Sequence, residues 1–165
     1  MELEVQSVVV GLYVCADRGQ PMRTVDRVRA IEGIGLEGDR YALGRGAFSR
    51  KPGKIRQVSL ISAEAIELAN SCREIPYFWH ETRRNIVVSG INLDERLLLD
   101  EPLLRIGSAV LQLVDDCAPC SRPDMLSGKI GFSSAFQLLG GLRAQVLGAG
   151  EITIGDSVEL VNTSD

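Results

Sequence analysis

The chain has 165 residues, 45% of them hydrophobic and 24% charged, with a net charge of −4 at pH 7. That length fits one domain able to bury a core without disulfide staples, and no apolar run approaches the roughly 20 residues of a membrane helix. The segment Asp39 to Arg56 holds six basic residues against one acid, so the rest carries −9; this excludes a general nucleic-acid binder and suits capture of one small anion.

Taken in order, Met1-Glu2-Leu3-Glu4 is acidic and lacks the basic and apolar regions of a signal peptide. A cytoplasmic protein with its four cysteines (Cys15, Cys72, Cys117, Cys120) reduced is expected. Residues 3–14 read as a strand through Val5, Val8, Val9, Val10, Leu12 and Val14, followed by turn chemistry at Asp17 to Pro21. Thr24 to Ile31 alternates as a second strand. Gly33 to Gly53, rich in glycine and basic residues, reads as one long loop. Ile55 to Ile61 is a strand, and Ser62 is placed to cap a helix running to about Cys72, with Ala65, Ile66 and Ala69 on one face. Ile75 to Thr82 is an irregular aromatic stretch, and Arg84 to Ser89 a strand stopped by Gly90.

In the second half, Ile106-Gly107-Ser108 and Ile154-Gly155-Asp156 each open a turn before an apolar strand. Leu142 to Leu147 is a further strand, and Ser133 to Leu139 a short helix. Seven or eight strands with two or three short helices indicate a mainly β barrel or sandwich, not a parallel α/β sheet.

Three segments could carry chemistry. In Asp115-Asp116-Cys117-Ala118-Pro119-Cys120-Ser121-Arg122-Pro123, two prolines bracket Cys120 and restrict its backbone. Arg122 favours a thiolate there, while Asp115 and Asp116 oppose one if close. A redox dithiol, half of a zinc site and a single reactive cysteine all fit the spacing; burial of both thiols as small apolar side chains is the plain alternative, but the flanking acids and prolines argue against it and should hold the thiols near the surface. In Thr82-Arg83-Arg84-Asn85, strand alternation puts Arg83 and Asn85 on one face and Arg84 on the other. Arg83 offers a forked donor to phosphate, and Asn85 a donor and acceptor to a heterocycle edge; a solvated strand end is the plain alternative. Gly35-Leu36-Glu37-Gly38-Asp39-Arg40 can form an anion nest, with Arg40, Lys54 and Arg56 adding charge, or be only a flexible loop. His80, the lone histidine, reads as packed or surface-exposed sooner than as a general base; Cys15 and Cys72 read as structural.

The order of these segments resembles the MOSC family, named for the C-terminal domain of molybdenum cofactor sulfurases, from about Val5 to Leu160. The resemblance is carried by Arg83-Arg84-Asn85-Ile86-Val87-Val88-Ser89-Gly90, Leu103-Leu104-Arg105-Ile106-Gly107 and Cys117-Ala118-Pro119-Cys120. The Gly38-Asp39-Arg40 turn, Arg56 to Ile61, Gly141-Leu142-Arg143-Ala144 and Gly150 to Asp156 add to it. It implies a mainly β, barrel-like fold and one MOSC domain over residues 1–165. It implies the molybdenum cofactor (molybdopterin) as small-molecule cofactor, and Cys120 as the functional thiol that ligates the metal or carries sulfur. Arg83 and Asn85 would contact the pterin or its phosphate, with Arg40 and Arg56 beside them. Cys117 is not required in the family. The pyridoxal-phosphate desulfurase domain of full sulfurases is not expected, nor is that cofactor. The function implied is a molybdenum-dependent reductase of N-hydroxylated compounds. The alternatives are a non-catalytic carrier of sulfur or cofactor, with a redox or sulfur-donor protein as partner, and a Cys117/Cys120 redox or zinc protein. No membrane or nucleic-acid partner is expected.

Overall fold

The structure is a computed structural model describing residues 3–51 and 53–161. Its strands are β1 (Val8–Val14), β2 (Arg23–Thr24), β3 (Arg27–Ile31), β4 (Gly35–Leu36), β5 (Val58–Ser62), β6 (Ile86–Ser89), β7 (Leu103–Ile106), β8 (Ala109–Asp116), β9 (Leu142–Gly148), β10 (Gly150–Thr153) and β11 (Val158–Val161). Three α-helices accompany them, α1 (Ala63–Asn70), α2 (Arg122–Ser127) and α3 (Phe132–Ala135), with two 3-10 turns at Trp79–Thr82 and Glu95–Asp100.

Eight strands form one sheet in the order β11-β7-β8-β9-β5-β6-β1-β2, and β10-β3-β4 form a second. The large sheet curls back on itself. Val9 N–H donates to Asp156 O (2.9 Å), Gly155 N–H to Val9 O (2.8 Å) and Val158 N–H to Ser7 O (2.8 Å), which joins the start of β1 to the start of β11. The expected mainly β, barrel-like fold is therefore what the chain forms.

One pair in the large sheet departs from the antiparallel rule. β5 and β6 run parallel, Leu60 beside Ile86 and Ser62 beside Val88, and α1 makes the crossover. A strand in such a unit is covered on both faces, which explains why Ile86-Val87-Val88 is apolar without alternation. Leu60, Ile86 and Val88 enter the barrel core with Leu12, Leu104 and Leu111. Ile61 and Val87 face outward into a second core with Ile66, Tyr77, Phe132 and Phe136. Ser62 caps α1 as expected, its hydroxyl accepting from Ala65 N–H at 3.1 Å.

Among the described residues there are eleven strands: residues 23–31 split at a break into β2 and β3, Gly35–Leu36 pairs with Ala30 and Ile31 inside the stretch expected as loop, and Leu103–Ile106 and Gly150–Thr153 form strands of their own before and after the expected ones. The first strand begins at Val8 and the third expected one at Val58, several residues late, since Leu3, Val5 and Ile55 are exposed and unpaired. The short helix near 133–139 covers only Phe132–Ala135. The two Ile-Gly turns do share a conformation: each glycine has positive φ (58° and 92°), Gly107 turning β7 into β8 and Gly155 leading into β11, and β11 pairs with β7, Val158 opposite Ile106. Among the described residues no helix is long and apolar enough to cross a membrane.

Tyr77 joins the outer core to the segment after Cys120. Its hydroxyl donates to Asp124 Oδ1 at 2.5 Å, while Asp124 also accepts from Gly131 and Phe132 N–H. Burial, with the Asp124 bond second, pushes the Tyr77 phenol up to about 12. The folded state therefore holds its proton where the unfolded chain has lost it, and stability falls as pH rises from 10 to about 12. Urea unfolding across this window is expected to show a steeper loss in the parent than in Tyr77→Phe; identical slopes would remove Tyr77 as the cause.

Candidate functional site

The register gathers the candidate residues at one end of the barrel. Val58 lies opposite Ala144, and Asp115 opposite Arg143, so the start of β5, the start of β9 and the end of β8 converge. The residues preceding β6 arrive beside them, because Asn85 N–H donates to Ser59 O. An open cavity sits there, spanning about 650 Å³ including the space at its mouth. Six arginines line it, Arg40, Arg56, Arg83, Arg84, Arg122 and Arg143, with Tyr41, Phe48, Ser59, Asn85, Cys117 and Cys120, and among the described residues no carboxylate is in the lining.

Thus the five residues singled out in the sequence, Arg40, Arg56, Arg83, Asn85 and Cys120, share one cavity although they span 80 positions. The expected alternation of Arg83, Arg84 and Asn85 does not hold. The strand starts only at Ile86, and Arg83 closes the 3-10 turn in the left-handed region (φ 62°), so all three residues reach the same cavity.

Each polar group has a definite occupation. Arg83 donates to Gln20 O (2.8 Å), Arg18 O (3.4 Å) and Cys15 Sγ (3.4 Å). Burial, then the nearby Arg40 charge, pull the Arg83 guanidinium below its ordinary value, a strain that an anion in the cavity would relieve. Arg40 pairs with Asp39 at 3.1 Å and donates to Met22 Sδ and Cys15 Sγ. Asn85 is a staple between strands: its Oδ1 accepts from Ser59 N–H and Oγ–H, and its Nδ2 donates to Tyr13 O, all at 3.1 Å. One amide hydrogen is left over.

Arg56 differs. Its guanidinium lies 4.6 Å from the Phe48 ring, and its Nε is the one buried side-chain polar atom without a hydrogen-bond partner among the described residues. A buried unmet donor is costly, and at a cavity wall it marks where an acceptor belongs.

The two cysteines of the pair part company. Cys117 is buried and Cys120 exposed, and both are free thiols. Among the described residues no group of three or more His, Cys, Asp and Glu is placed to hold a metal ion, so the pair lacks the partners a structural zinc would need. Asp115 is engaged elsewhere, with Lys54 at 3.2 Å and Arg143 at 4.0 Å. Burial raises its carboxyl, but the bonds from Lys54 and Asp116 outweigh that and leave a net downward shift. Lys54, grouped in sequence with the anion-binding charges, is thus paired with Asp115. His80 is exposed and stacks on Phe78.

Sequence reasoning missed Arg84, Arg143 and the role of Cys15. Arg143 had a signal in the Gly141-Leu142-Arg143-Ala144 segment, but only the β8–β9 register gives it a neighbour. Cys15 touches two cavity arginines through contacts 25 and 68 positions apart, which no local pattern encodes.

The MOSC domain family model matches residues 48–159, a stretch holding Arg56, Arg83, Asn85 and Cys120 but not Arg40. Among solved structures, the chain is similar to the YuaD protein from Bacillus subtilis, at 19% identity over 97% of this chain and 98% of that one, with a TM-score of 0.77. YiiM from Geobacillus stearothermophilus gives 17%, 94%, 75% and 0.67, and YiiM from Escherichia coli gives 19%, 98%, 72% and 0.63. Identities this low establish a shared fold. None of the curated proteins compared with the chain matches it.

Proposed function

Because the chain belongs to the MOSC domain family, we propose that it binds the molybdenum cofactor in the arginine-lined cavity, with Cys120 as the metal-ligating thiol. The observation that carries this reading is the pairing of six arginines and, among the described residues, no carboxylate with one exposed thiol on the same walls.

The residues present fit that group. A pterin phosphate calls for forked donors, and Arg56 has a buried N–H without an acceptor. A thiolate is the soft ligand that a metal of this class takes. Arg56, Arg83 and Arg122 would hold the phosphate, and Asn85 would offer its remaining amide hydrogen to the pterin edge. The cofactor when bound supplies two-electron redox chemistry. The chain would fix its orientation, balance its negative charge and keep water from the buried arginines. Reduction of N-hydroxylated compounds is the reaction class we assign to it.

Phosphate alone should report the anion site. Calorimetry in low salt is expected to give binding that weakens about tenfold in Arg56→Ala, the scale of one lost charge-assisted hydrogen bond. Unchanged affinity would move the anion elsewhere. The reading itself is tested by molybdenum and pterin content after anaerobic purification from a cofactor-producing host, followed by turnover of an N-hydroxylated base with an artificial electron donor. Bound cofactor with turnover supports the reductase, bound cofactor without turnover a carrier, and neither metal nor pterin overturns both.

A further inference from the structure

Arg84 is buried, and it sits at the cavity wall without a carboxylate partner among the described residues. Its guanidinium instead gathers three carbonyls from three segments. Nε donates to Gly140 O (2.8 Å), Nη1 to Thr82 O (3.0 Å) and Nη2 to Cys117 O (3.0 Å). Cys117 is also held from its other side, its N–H donating to Gly141 O at 2.8 Å. Gly140 has no room for a side chain, because a Cβ there would run into Cys117 O.

This clamp matters because of what surrounds the segment it grips. Cys117 and Ala118 line the arginine cavity on one side and, on the other, a second cavity formed with Leu93, Asp116, Leu138 and Gly140. Beyond the buried Cys117 side chain the strip is open to the two cavities, Ala118 and Cys120 being exposed, so its position past Cys117 leans on its backbone hydrogen bonds. Cys120 follows Cys117 by three residues, about 11 Å of chain at most, and Pro119 stiffens the step.

We infer that Arg84 is the positioning residue of the thiol segment: through the Cys117 carbonyl it sets where the Cys120 sulfur stands in the cavity. The inference rests on Cys120 being the functional thiol, but its test uses no cofactor. Retention of no molybdenum by the parent protein would sink the proposed function and leave the role of Arg84 standing.

The test measures the segment directly in the full chain, in a Cys72→Ser background that leaves Cys120 as the one exposed cysteine. Arg84→Lys keeps the charge but loses the fork; Arg84→Met removes both, and the lysine variant suffices if the methionine one does not fold. Hydrogen exchange at the Cys117 amide, the one N–H of residues 117–121 with an acceptor among the described residues, is expected to accelerate about tenfold or more in Arg84→Lys, as for loss of a charge-assisted hydrogen bond. Exchange at β5 and β6 should stay at the parent rate. A nitroxide on Cys120 should show sharpened, mobile lines. Val158→Ala, a core change in β11, is the stability-matched control and should move neither readout selectively. Unchanged exchange and label mobility in Arg84→Lys, or uniform acceleration like that of the control, would overturn the inference.

Discussion

Cys120→Ser is expected to lower the molybdenum content of anaerobically purified protein by roughly a hundredfold, because losing a ligand should exceed the 10–100-fold cost typical of losing an outer-shell partner. The same variant should keep its melting temperature within about 2 °C of the parent, since exposed substitutions usually fall within about 0.5 kcal/mol. The thiol is exposed, so its replacement should remove the proposed ligand while leaving the fold intact. Cys117→Ser should behave in the opposite way. That side chain is 6% exposed at the edge of the core, so the change should cost stability before it costs metal. Metal analysis of both variants beside thermal melts decides the matter. Full molybdenum in Cys120→Ser would overturn Cys120 as the ligand, and its loss only in Cys117→Ser would move that role to Cys117.

The largest effect on stability should come from Asp39→Ala, at about 3–5 kcal/mol, the cost of stranding a buried charge. Asp39 is fully buried; it pairs with Arg40 and accepts from Cys15 N–H and Tyr41 N–H, both at 3.3 Å. Its removal leaves the buried Arg40 with only two sulfurs and the Arg83 carbonyl as acceptors. For a chain of this size the melting temperature should fall by about 10 °C. Replacing both partners, Asp39→Ala with Arg40→Met, should recover more than half of the loss, because no charge is then left buried. Denaturant unfolding of the two single variants and the double variant gives the coupling. A loss below about 1 kcal/mol in Asp39→Ala would mean that water reaches Arg40.

How much of this was legible in the sequence depends on the range of the cause. Ser62 could be read as a cap because the bond it makes is three residues long. Cys120 could be read as exposed because its flanking prolines and polar neighbours act locally. The residues Arg56, Arg83 and Asn85 were found as chemistry, but their grouping required the β5–β6 and β8–β9 registers. Arg84 was missed because its distinction from Arg83 is one backbone angle: with Arg83 at φ 62° the alternation fails, and the second arginine turns to carbonyls at 82, 117 and 140. Asn85 was legible as a polar group but not as a staple, since its partners Ser59 and Tyr13 lie 26 and 72 positions away.

The join between β1 and β11 has a consequence for the order of events on the ribosome. The bonds at Ser7 and Val9 wait for partners at 155–158, about 150 positions further along the chain. Until those residues emerge, the nascent chain holds one flank of β1 and one of β7 open, both ready to pair with a stranger. Closure between sequence-distant ends is slow, so synthesis leaves a window in which holdase chaperones protect yield. Loss of β11 would make that window permanent, leaving both flanks open to pairing with another chain.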